Sequence, residues 1–195
     1  MNMKIAAAVL LAGALVLVGC ASPAPSDHSS MPGMDHGSSS APASDANEAD
    51  VMFASMMIGH HQQAIEMSDL VLGKDDVDER VVDLAERIKD AQAPEIEQMQ
   101  GWLDDWGVDA PDAGGMEHGD GMMSEDDMAA LEKASGGEAS RLFLEQMIVH
   151  HEGAMEMAEA QIADGENADA VALAEDIVSA QSDEIAEMRE ILASL

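Results

Sequence analysis

Two pairs of adjacent histidines, His60-His61 and His150-His151, are the residues of this sequence whose types and spacing best suit chemistry, and they hold four of its seven histidines. On a helix of 3.6 residues per turn, His60 has Met56 and Met57 one turn back, and Ala64 and Met67 continue that face. His61 falls beside Met57 and Ile65. In the second pair, His150 falls beside Met147, and His151 beside Met147 and Met155. Imidazole combined with thioether favours Cu(I) or Ag(I) over Mg or Ca. A methionine stripe at helical spacing is usually core filling, and a buried histidine is usually hydrogen-bonded structure. Two His-His pairs at equivalent sites of a repeat outweigh that, so ligation of a metal by at least one pair is expected.

A second group is Gln92, Glu95 and Met99 with Gln181, Glu184 and Met188. In a bundle these can face the histidine helices, where Gln92, Glu95, Gln181 and Glu184 would hydrogen-bond the ligands or simply fix helix register. A third group lies in Gly-rich stretches: His28, Met31, Met34 and His36, then Met116, His118, Met122 and Met123. Methionine is an odd linker residue, being apolar and open to oxidation, so these are candidate auxiliary metal ligands. The chain has no Glu three residues before either histidine of a pair, as a di-iron bundle would need. It also lacks His-Glu-x-x-His, Gly-x-Ser-x-Gly, a phosphate-cradling Gly loop and a nucleophilic Cys. No catalytic constellation is visible, and the chain is read as no enzyme.

The elements that must position these groups are helices. Periodicity predicts helices over about 46–72, 77–106, a short one from a Ser124-x-x-Asp127 capping box to Ala134, then about 138–163 and 167–193. Pro94 should kink the second, and Ser135-Gly136-Gly137 should break the chain before the next. The halves repeat. Phe53-x-x-x-Met57-Ile-x-His60-His61-x-x-Ala64-x-Glu66-Met67 returns ninety residues on, from Phe143 through His150-His151 to Met157, and Ala91–Met99 returns as Ala180–Met188. Each hairpin has an apolar stripe it cannot bury alone, so pairing two hairpins predicts an all-α four-helix bundle with approximate two-fold symmetry. That symmetry brings the two His-Met clusters together in the interior or sets one at each end.

The 195 residues allow one domain plus tails: a leader over 1–19, a tether over 20–45, and a bundle over 46–195 comprising repeat one (46–106), a Met/His-rich loop (107–123) and repeat two (124–195). Forty acidic against eight basic residues give a formal net charge of −32, which repels phosphate backbones and argues against nucleic acid. Lys4, the apolar run 5–18 and then Leu-Val-Gly-Cys20 fit a signal peptide whose cleavage site resembles a lipobox. Cys20, the only cysteine, would carry the lipid and anchor an exported protein to a membrane without spanning it.

The duplicated Phe-x-x-x-Met-Ile-x-His-His-x-x-Ala-x-Glu-Met pattern, each copy followed by Ala-Gln-x-x-Glu-Ile-x-x-Met, resembles the bacterial domain of unknown function family 305, which includes the CopM-type copper-binding proteins. The resemblance covers about residues 46–195. It implies a ferritin-like four-helix bundle outside the cytoplasm and, in the CopM branch, copper binding by Met and His. The ligands implied are Met57, His60, His61, Met147, His150 and His151, with Met67 and Met157 added to them. The functional expectation is a lipoprotein that captures Cu(I) or Ag(I), then buffers it or passes it to a copper-handling protein partner. The alternative is a helical interaction module of the cell envelope with structural His pairs. An oxidoreductase at a dinuclear site is a distant third.

Overall fold

The structure is a computed structural model, and it describes residues 45–108 and 121–195. Among these residues there are five helices and no strand: α1 (Glu48–Leu72), α2 (Glu79–Trp106), the short α3 (Glu125–Lys133), α4 (Gly136–Asp164) and α5 (Ala168–Ser194). None is long and apolar enough to cross a membrane. The leader, Cys20, the tether ligands His28, Met31, Met34 and His36, and the loop residues Met116 and His118 lie outside the described residues.

The helix ends follow local chemistry. Asn47 and Asp50 cap α1 reciprocally, as Ser124 and Asp127 cap α3. Asp78 and Asn167 accept from the first amides of α2 and α5. Gly107 ends α2 in the left-handed region, φ 72°, where a residue with no Cβ carries no steric cost. The expected break between α3 and α4 falls at Ala134 and Ser135, and Gly136-Gly137 opens the first turn of α4, with Gly136 at φ 53° after the N-cap Ser135. Pro94 sits inside α2, which runs from Glu79 to Trp106, and its missing N–H deprives the Asp90 carbonyl of a helical donor.

α1 packs on α2 and α4 on α5, and the two hairpins meet chiefly through α1 against α4. The outer helices are also tied together: Arg87 of α2 pairs with Glu187 of α5 at 2.6 Å. The result is the four-helix bundle of two hairpins, with α3 laid over α1 and α4. The repeat extends to the turns. Asp50 of α1 accepts from the amides of Glu166 and Asn167, where α5 begins, and Ser140 of α4 accepts from the amide of Asp78, where α2 begins. Positions ninety residues apart thus seat each other's hairpin turn.

The apolar core is in two parts. One joins Phe53 and Met57 of α1, Ile96, Met99 and Leu103 of α2, Ala154 and Ala158 of α4, and Leu173 and Ile177 of α5. The other joins Met67 and Val71, Leu84 and Ile88, Phe143 and Met147, and Ile185 and Met188, with Leu131 of α3 added. Full burial of a side chain such as Phe143 contributes about 2–3 kcal/mol. On every long helix the stretch between the two clusters carries polar side chains: His60-His61, Gln92 and Glu95, His150-His151, and Gln181 and Glu184.

Candidate metal centre

That polar layer crosses the middle of the bundle. His60, His61, His150 and His151 are all buried, as are Gln92 and Gln181. His60 and His150 meet across the α1–α4 interface with ring centroids 3.7 Å apart and planes inclined by 39°. They are equivalent residues of the two repeats, so their contact marks the approximate two-fold axis. Of the two arrangements the sequence leaves open, the structure adopts the first: the pairs come together in the interior.

His61 and His151 each face the second helix of their own hairpin. His61 Nε2 donates to Glu95 Oε2 at 2.7 Å, and His151 Nε2 donates to Glu184 Oε2 at 2.7 Å. A carboxylate oxygen can only accept, so each glutamate holds the proton on Nε2. In the neutral imidazole that leaves the lone pair on Nδ1. His61 Nδ1 and His151 Nδ1 are both buried without a hydrogen-bond partner. His150 has neither ring nitrogen hydrogen-bonded. Burial pushes its pKa well below 6.5, and the neighbouring His60, His151 and His61 push the same way, so it is neutral at physiological pH.

Such a layer is costly. Each buried polar atom without a partner costs about 1–3 kcal/mol, and Gln92 Oε1 and Gln181 Oε1 join the histidine nitrogens in that state. A layer of leucines would be more stable. Ligand-competent lone pairs held in a buried, oriented array are what metal coordination by imidazole requires. Among the described residues, though, no three His, Cys, Asp or Glu side chains are grouped to hold an ion. An ion in the layer would therefore be held by fewer than three such side chains, a low coordination number that suits Cu(I) and Ag(I), alone or with thioether donors.

Two methionines flank the layer. Met57 lies one helical turn before His60 and belongs to one apolar cluster; Met147 lies one turn before His150 and belongs to the other. Met99 and Met188, one turn beyond Glu95 and Glu184, are buried on the same two sides. Met67 is buried two turns from His60, inside an apolar cluster, while the half-buried Met157 lines a surface groove between α1 and α4. Met123 is tied to the bundle, since Gln63 both accepts from its amide and donates to its carbonyl, and Met122 lines a groove beside it. Asp50, outside the ligand candidates of the sequence, has a buried carboxylate that is a structural hub; the Asn47-x-x-Asp50 capping signature is the signal that points to it.

The profile of a family described as Domain of unknown function (DUF305) matches residues 50–192. Among solved structures, a DUF305 candidate secreted protein from Streptomyces coelicolor is 35% identical with a TM-score of 0.70, covering 78% of this chain and 94% of its own. A DUF305 fragment from Deinococcus radiodurans is 30% identical with a TM-score of 0.69, covering 77% of this chain and 99% of its own. CopM in its Cu(II)-bound form is 34% identical with a TM-score of 0.65, covering 74% of this chain and 96% of its own. CopM is also known in Cu(I)-bound and Ag-bound forms, at 32% identity and a TM-score of 0.63. No curated protein matches the chain.

Proposed function

This chain belongs to the DUF305 family, and from that premise we propose that it is a non-catalytic, extracytoplasmic carrier of Cu(I), with Ag(I) as a surrogate. The ion binds at the central layer through one or two imidazole nitrogens drawn from His60, His61, His150 and His151, with Met57 and Met147 as thioether donors. Glu95 and Glu184 orient His61 and His151, and Gln92 and Gln181 complete the polar surround. Met67 and Met157, included by motif, stand farther from the layer. The observation that carries this proposal is the paired Glu–His contact, which leaves two buried Nδ1 lone pairs facing no protein donor. The Cu(I)-, Cu(II)- and Ag-bound forms of CopM support the choice of ion.

The sequence of residues 1–20 supports export and a lipid anchor on Cys20, as does the candidate secreted relative. The anchor would hold the carrier at a membrane surface, and the methionines and histidines of 28–36 and 116–123 would be auxiliary capture ligands. A copper-handling protein is the partner such a carrier would serve.

The test is a Cu(I) competition titration of residues 45–195 against a chromophoric chelator, comparing the native sequence with H60Q/H150Q. Loss of at least about 100-fold in affinity, beyond the 10–100-fold typical of outer-shell changes, with helical content retained, is the expected result. Unchanged affinity would sink the proposal and leave the layer as the register device of an interaction module.

A further inference from the structure

We infer that the bundle carries a second site for a soft monovalent cation, in the open groove between the first half of α1 and the last third of α4, with Met52, Met56 and Met157 as its ligands. The groove has a volume of about 400 Å³, and Phe53, Glu156 and Asp164 also line it. Met52 and Met56 are one turn apart on α1, so their side chains share a face, and Met157 reaches the same groove from α4. Three thioethers and no imidazole form a donor set that selects Cu(I) or Ag(I) over hard divalent ions. The carboxylates of Glu156 and Asp164 add negative potential at the mouth.

The internal repeat supplies an independent reason to regard these methionines as placed for a ligand. The equivalents of Met52, Met56 and Met157 are Leu142, Gln146 and Met67. In that second copy the surface is covered by α3. Gln146 donates to the carbonyl of Asp127 on α3, Leu142 packs on the core and Met67 is fully buried. Where the surface is covered, the chain uses residues that pack or hydrogen-bond. Where it is open, two of the three positions have become methionine, and Met52 stands 57% exposed. Leucine would serve the helix equally well there and would not oxidise.

This site shares its ion class with the central layer but not that layer's histidines, Met57 or Met147, so the two can be told apart. The experiment is 13C NMR of the methionine ε-methyl groups in the isolated protein during titration with Ag(I). The expected result is a saturable, concerted shift of the Met52, Met56 and Met157 signals. M52L/M56L should lose that step and bind one ion fewer, with the Met57 and Met147 response and the helical content unchanged. Shifts confined to Met57 and Met147 would overturn the groove site and uphold the central one. Shifts confined to the groove trio would uphold the groove and sink the central site. No saturable shift at either set would remove both.

Discussion

His60 and His150 lie ring against ring at 3.7 Å although ninety residues separate them in sequence. Two imidazolium cations at that distance would repel strongly in a buried setting, so at least one ring stays neutral in the folded protein. His150 is that ring, since burial and three neighbouring histidines all disfavour its charged form.

A pH dependence of stability follows for the metal-free protein. The folded pKa of His150 lies below 6.5 and the unfolded value is about 6.5, so between the two the unfolded chain binds the extra proton. The contribution of His150 is therefore whole above about pH 6.5 and is lost as pH falls toward the folded value. Thermal unfolding midpoints should drop between pH 7.5 and 5, and H150F should flatten that drop. A midpoint independent of pH in this range would count against a neutral, buried His150.

Glu95 and Glu184 should matter to metal binding more than to folding. E95Q/E184Q keeps side-chain size but replaces an acceptor-only group with an amide that can also donate, so the proton of His61 and His151 is no longer fixed on Nε2. Cu(I) affinity should fall by about 10–100-fold with the far-ultraviolet circular dichroism unchanged. An equal affinity for variant and parent would show that the glutamates only fix helix register.

Asp50 should matter to folding alone. Burial raises its pKa, but hydrogen bonds from Asn47, Gln161, Asn167 and Glu166 outweigh that and leave it below 3.8, so it is ionised. Because the folded value is depressed, its contribution is intact above about pH 3.8 and is lost only on stronger acidification, a window distinct from that of His150. D50A strands several donors at the start of α1 and at the α4–α5 turn, and should cost about 2–4 kcal/mol by denaturant unfolding. Metal affinity in the folded variant should be unaltered.

Gly121 sets the seat of α3. It has φ 82°, and a Cβ there would meet the Val149 carbonyl oxygen at 2.6 Å and Gly153 Cα at 2.9 Å, both rigid helix backbone. G121A should destabilise by about 1–3 kcal/mol. It should also raise amide exchange of Met123 and α3 ahead of the long helices. Uniform exchange across the bundle would show that the close approach is not what holds α3.

Much of this architecture is written locally. Asn47, Asp78, Ser124 and Asn167 mark helix starts and Gly107 marks a helix end, because caps act on amides and carbonyls within one turn. The repeat from Phe53 to Phe143 announces two hairpins with complementary stripes, and the His-His pairs announce where chemistry could sit. Ser135-Gly136-Gly137 marks the break before α4, and left-handed Gly136 turns the chain directly into that helix.

Periodicity gives the face of each helix but not the slide of one hairpin along the other. The slide is chosen by packing: two apolar clusters fill either half of the bundle, leaving His60 against His150 on the axis and Glu95 and Glu184 within 2.7 Å of His61 and His151. The covering of one groove by α3, with its symmetric counterpart left open and lined by Met52 and Met56, is likewise invisible in one dimension. Sequence spacing fixes neighbours on one helix, whereas contacts between helices depend on how side-chain volumes interlock, and only the folded bundle settles that.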